Sequence, residues 1–222
     1  MATEYTLSLN DLLKDTLPEL PGVVRSVAER ELRLTLREFF EKTYAWTTHI
    51  TGVACPAGEV GIQFDDGDDN TEVISVLSVH YGSAADGFIP LRPIITRPVD
   101  EKTASSPDAW YVNSNPDEVT LYPYLTAVPT KTLSAWVALI PAFDIDAATA
   151  TLPRQITLKY YDAIMEGFLA RMYDHPNKPY SNPLTAAQKK ANFFRAMGYY
   201  AAQRKNGYNG SQSWSYPTRG WK

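Results

Sequence analysis

Cysteine is nearly absent from this 222-residue chain. Cys55 stands alone, which excludes an intrachain disulfide, a thiolate metal cluster and a dithiol redox pair. Histidine is almost as scarce: His49, His80 and His175 share no metal-ligand spacing, and isolated histidines are far more often surface or core residues than ligands. No run of about 18 apolar residues occurs, so no membrane-spanning segment is expected. The first six residues lack the basic-then-apolar pattern of a secretory signal, and the expected compartment is the cytosol. Gly-x-Ser-x-Gly elbows and phosphate-binding loops ending in Gly-Lys-Ser/Thr are missing too. A catalytic triad could still be assembled from distant residues, but nothing points to one, and the chain is read as a non-enzyme without metal or cofactor.

Acidic side chains are missing from the last 48 positions. There Lys178, Lys189, Lys190, Arg195, Arg204, Lys205, Arg219 and Lys222 stand unopposed at +8, so residues 1–174 carry −12 of a net −4. Residues 51–150 alone hold fourteen Asp or Glu against four Lys or Arg. Ends of opposite sign suit head-to-tail association, or insertion between two unlike partners, better than uniform coating of nucleic acid.

What is present is an ordinary globular composition, 44% hydrophobic, long enough for one large domain or two modest ones. The clearest pattern runs from Leu152 to Arg204. Ile156, Tyr160, Ile164, Phe168 and Met172 recur every four residues, with Ala163, Gly167 and Ala170 widening the stripe, which predicts one amphipathic helix. Leu184, Ala187, Ala191, Phe194, Gly198 and Ala201 predict the apolar face of a second, with Lys189, Lys190, Arg195 and Arg204 elsewhere. Pro176, Pro179 and Pro183 force a turn between them, giving an antiparallel αα-hairpin whose small residues suit close axis approach. Near the start, residues 7–17 predict a short helix capped by Ser8, with Asp11 completing a capping-box variant. Residues 23–44 predict a long helix with Val24, Val27, Leu32, Leu34, Leu36, Phe39 and Phe40 on its apolar side. Glu29 and Arg33 stand four apart as a favourable pair, and the like-charged Arg33 and Arg37 are expected to be fanned apart by neighbouring glutamates.

Between the helices the period falls to two. Residues 59–64, 72–81, 88–95, 109–113, 119–124 and 133–140 are strand candidates: the last is apolar on both faces and hence central, and 88–95 is an edge because of Pro90 and Pro93. The fold class expected is α+β: a helical bundle built from both ends of the chain (1–50 and 143–205), an inserted small antiparallel β-domain (51–142), and an extended C-terminal tail (206–222). Asp65–Asn70 holds the densest carboxylates, but its Gly is third where a calcium loop of the EF-hand type needs it sixth, so a solvated hairpin tip is expected. In the tail, glycine and proline forbid regular structure, yet Tyr208, Trp214, Tyr216 and Trp221 are large rings. Such a segment is expected to order on a partner surface. Folding back on its own bundle is the alternative, and a further one is that the basic aromatic end tracks single-stranded nucleic acid. A carbohydrate platform of Trp110, Tyr111, Tyr122 and Tyr124 is a third reading.

The order of parts carries a resemblance: residues 17–21, a helix ending over 37–46, a β insert closing at 137–141, then Leu152–Pro153, the helix 163–173, the loop 176–183 and a last helix with Phe193 and Phe194. This resembles the head-to-tail adaptor proteins of tailed bacteriophages, similar to the tail tubular protein A type and related head-completion proteins. The resemblance implies a structural virion protein at the head-to-tail junction, assembled in the host cytoplasm as a homo-oligomeric ring, commonly of twelve copies. Its partners would be the portal protein above and the next tail protein below, a nozzle or tail-tube component, with packaged DNA passing through the channel without specific binding. By position it implies portal docking through Tyr208, Trp214, Tyr216, Arg219 and Trp221. Lys178, Lys189, Lys190, Arg204 and Lys205 are candidates for inter-subunit or portal contact. The family has no catalytic residues to carry over.

Overall fold

A computed structural model describes residues 6–14, 16–100, 102–112, 115–143 and 151–205. The chain opens with β1 (Thr6–Ser8) and α1 (Leu9–Lys14). The capping box forms as expected: Asp11 N–H donates to Ser8 Oγ at 3.2 Å, and the Asp11 carboxylate accepts from Ser8 N–H at 3.3 Å and from its hydroxyl at 2.7 Å. With Lys14 also donating to it, the Asp11 carboxyl is held down at about 2. A 3-10 turn over Leu17–Glu19 leads to α2 (Arg25–Thr43), which ends where Tyr44 adopts a left-handed conformation and returns its N–H to the Phe40 carbonyl.

Leu32, Leu36, Phe39 and Phe40 form the buried face of α2, and the hydroxyls of Thr35 and Thr43 are satisfied by carbonyls one turn back. Val24 is exposed. The pairing expected along the wet side is not the one found. Glu29 accepts from Arg25 at 2.9 Å, and both later arginines reach out of the helix. Arg33 donates to the Phe143 carbonyl, and Arg37 grips Glu72 with two bonds of 3.0 and 2.9 Å while also donating to the Pro141 carbonyl. Long-range carbonyl and carboxylate acceptors, rather than repulsion between neighbours, set where the two guanidiniums point.

The β segment contains β2 (Thr47–Ala54), β3 (Ile62–Gln63), β4 (Thr71–Ser83), β5 (Gly87–Pro90), β6 (Arg92–Pro93), β7 (Thr103–Ala104), β8 (Ala109–Val112), β9 (Glu118–Tyr122), β10 (Tyr124–Leu125) and β11 (Thr132–Pro141). One sheet has the order β2-β11-β4-β5, all antiparallel, with β11 central as its two apolar faces require. The other has the order β3-β9-β8-β6. Two short pairings, β6 with β8 and β7 with β10, are parallel. Inward side chains of both sheets, such as Val79, Leu133 and Val137 from one and Ile62, Trp110 and Leu121 from the other, join the same apolar core as the helices.

After residue 151 come β12 (Thr151–Pro153), α3 (Arg154–Lys159), α4 (Tyr161–Tyr173) and α5 (Pro183–Lys205). β12 pairs antiparallel with β1, so two segments far apart in sequence are clasped together. The single helix expected over 156–172 is broken at Tyr160. Its ring is inserted between Phe39 and Tyr200, with centroids 5.3 and 4.7 Å away, and the chain turns to place it there. The apolar stripe nevertheless continues across the break. Asn182 caps α5 by accepting the Thr185 N–H at 3.1 Å, with Pro183 at the first helical position.

Candidate docking face on the last helix

α4 and α5 run antiparallel, and both pack on α2. They pack tightly at Gly167, where an added Cβ would lie 2.7 Å from the Phe193 ring and 2.8 Å from the Thr35 methyl. Glu166 fixes the relative register by accepting from Lys189 at 2.9 Å and Asn192 at 3.1 Å. The side of α5 that meets α2 and α4 therefore carries Ala186, Lys189, Phe193, Met197 and Tyr200.

This reverses the face expected from periodicity. Of the stripe Leu184, Ala187, Ala191, Phe194, Gly198 and Ala201, only Ala201 is half-buried; Leu184 is 83% exposed and Phe194 47% exposed. The physical reason is area. Phe193, Met197 and Tyr200 together carry more apolar surface than Leu184 and Phe194 with three alanines and a glycine, and the added burial favours their inward registration. Adjacent Phe193 and Phe194, and adjacent Tyr199 and Tyr200, were the readable signal. Helical neighbours differ by about 100°, so one ring of each pair must leave the stripe the other joins. Tyr199, 59% exposed, is the second such ring.

α5 thus has two apolar faces, one covered and one bare. Beside the bare one, a cleft of about 430 Å³ opens between α4 and α5, walled by Gly167, Ala170, Ala187, Phe193 and Phe194 and rimmed by Glu38, Arg171, Asp174 and Lys190. Arg171 is neutralised within the chain by Glu38 at 2.6 Å and by the buried Glu31 at 3.8 Å. Lys190 lies 6.0 Å over the Phe194 ring, and Arg195 lines a shallow tray with Tyr199. Among the described residues neither Lys190, Arg195 nor Lys178 makes an ion pair.

The expected contact residues separate accordingly. Lys178 is exposed in the interhelical loop, and Lys190 belongs to the bare face. Lys189 is committed to Glu166 inside the hairpin, and Arg204 is half-buried in the last turn of α5. Lys205 closes α5, its side chain outside the described residues, as are Tyr208, Trp214, Tyr216, Arg219 and Trp221.

Two readings of the β segment are corrected. Trp110, Tyr111 and Tyr124 are buried, with Tyr111 OH sharing hydrogen bonds with Glu59 and Tyr124, so they form core and no carbohydrate platform. Burial pushes the Tyr111 phenol well above its ordinary range. The 65–70 segment is no hairpin tip, because β3 and β4 belong to different sheets. It is an inter-sheet turn held by Asp65, Asp66 and Asp68 side chains accepting backbone N–H groups two residues on. No group of three or more His, Cys, Asp or Glu arranged to hold a metal ion occurs among the described residues, and no helix among them is long and apolar enough to cross a membrane.

No protein-family model matches the sequence, and comparison with curated proteins finds no match.

Proposed function

We propose that this chain is a structural virion protein, a head-to-tail adaptor that forms a ring between the portal and the tail of a bacteriophage and continues the DNA channel. Its body would be the helical bundle of residues 1–50 and 143–205. The β insert 51–142 would face the tail component, and residues 206–222 would dock on the portal. The observation that carries the reading is the second, bare apolar face of α5, flanked by Lys190 and Arg195, which make no ion pair among the described residues, and by an open cleft. An exposed apolar helix face is a common mark of a protein–protein contact. Opposite charge on the two parts of the chain favours a heterologous contact, which closes into a ring when the rotation between copies allows. The protein works by occupying a geometric gap and performs no bond-making step.

Electron microscopy of intact particles carrying this protein tests the reading: density for its helical hairpin is expected at the vertex where capsid meets tail, and its absence there rejects the proposal. A second reading, binding of single-stranded nucleic acid, is favoured by the exposed rings of Phe194 and Tyr199 beside Lys190 and Arg195. Strand binding would weaken steeply between low and moderate salt, whereas docking through apolar anchors would survive.

A further inference from the structure

The sheet β2-β11-β4-β5 has one face in the core and one turned away from it. Along β11, Leu133, Ala135 and Val137 join the core and alternate with Ser134, Trp136 and Ala138, which belong to the outer face. On that face Trp136 is the middle of a cross-strand row, with His49 of β2 on one side and Ser78 of β4 on the other. The adjoining rows are Thr51, Ser134 and His80 towards one end of the strands, and Thr47, Ala138 and Ser75 towards the other.

Trp136 is 45% exposed although it stands on the central strand. Its indole stacks on the His49 imidazole, with centroids 4.9 Å and planes 20° apart. One face of the indole is therefore covered, and the other is turned away from β2, on the side of Ser78, whose side chain is too short to cover a ring. The three rows hold no Asp, Glu, Lys or Arg, in a chain of which 21% is charged. They hold no Val, Ile or Leu either. What surrounds the indole is hydroxyls: Thr47, Thr51, Ser75 and Ser78 are all half-buried or exposed, and among the described residues none of their side chains makes a hydrogen bond.

This chemistry selects among ligands. With no cation in the rows, nucleic-acid phosphates find no counter-charge. With no aliphatic side chain beside the indole, the face lacks the apolar centre of a protein interface. A sugar ring fits on both counts: its C–H face packs on an aromatic ring, and its rim of hydroxyls donates and accepts as Ser and Thr do. Two steps between rows, at two residues each, span about 14 Å of flat strand surface, room for a short chain of sugars.

We propose that the outer face of this sheet binds a neutral oligosaccharide, with Trp136 as the stacking platform and Thr51, Ser75 and Ser78 as hydrogen-bonding groups around it. The site shares no residue with the buried Trp110, Tyr111 and Tyr124, and it does not depend on the adaptor reading.

The three histidines of the chain report on it directly, since His49 and His80 lie on this face and His175 lies beside Glu31 among the helices. The full chain is titrated with cellohexaose and, separately, with chitohexaose, and the imidazole signals are followed by NMR. At least one of the two sugars is expected to shift His49 and His80 and to leave His175 in place. Trp136→Ala is expected to weaken binding at least about tenfold, and Ser78→Leu, which fills the space beside the indole, to do the same. Trp136→Tyr keeps a ring and is expected to retain binding. An unchanged His175 signal verifies that each variant is folded. A response to neither sugar, or an undiminished response in either weakened variant with a native His175 signal, would overturn the proposal. So would His49 and His80 signals that move with protein concentration in the absence of sugar, as a second copy covering the face would produce, or a stronger response to a single-stranded oligonucleotide.

Discussion

At Gly167 of α4 the space for a methyl group is already filled by the Phe193 ring of α5 and the Thr35 methyl of α2. Gly167→Ala is expected to destabilise the fold by about 1–3 kcal/mol, as overpacking of a tight core does, read as a lower urea midpoint. Gly198 makes the opposite case: nothing lies within 4 Å of an added Cβ. Gly198→Ala is expected to stabilise the monomer by about 0.5–1 kcal/mol through helix propensity, read in the same titration. The two glycines look alike in the sequence, and only the registration of α5 separates them. Cys55 is equally specific to its surroundings. Burial pushes its thiol up to about 11, so alkylation at neutral pH is expected to be negligible in the folded protein and rapid once denaturant unfolds it.

At the scale of elements, Arg37 ties α2 to both β4 and the end of β11 through Glu72 and the Pro141 carbonyl. Arg37→Ala is expected to cost about 1–2 kcal/mol, a value discounted because the Glu72 carboxylate is partly in water. The pH dependence has a definite sign. Arg37 holds the Glu72 carboxyl below the usual glutamate range, so its contribution is full above the unfolded pKa and is lost as pH falls through the folded one. The difference in urea midpoint between wild type and Arg37→Ala is therefore expected to shrink as the pH is lowered below the ordinary glutamate range. This strut was not legible in the sequence, since Arg37 and Glu72 are 35 positions apart and periodicity speaks only of neighbours. Local chemistry was: the Ser8–Asp11 box, the Asn182–Pro183 helix start and the centrality of β11 follow from side chains acting within a few residues. β2 is not legible because Thr47–Ala54 alternates weakly, with half-buried and exposed residues and no fully buried one. The inward face of α5 depends on side-chain size, to which the period of apolar positions is blind.

For the whole molecule, the charge asymmetry and the bare face of α5 lead to one expectation about the chain end. Removing residues 206–222 is expected to abolish attachment to portal-bearing capsids in a sedimentation assay. Equal attachment by the shortened chain would count against a docking tail. The long strand β4 bears on how such a part would carry load. It is laddered to β11 from Thr71 to Gly82, and its axis joins the acidic turn at one end to the β5 hairpin at the other. Ladder bonds lie crosswise to their strands. Tension applied along β4 would load these bonds together in shear, whereas a pull across the sheet would peel them open one after another; this sheet resists load best along the line from turn to hairpin.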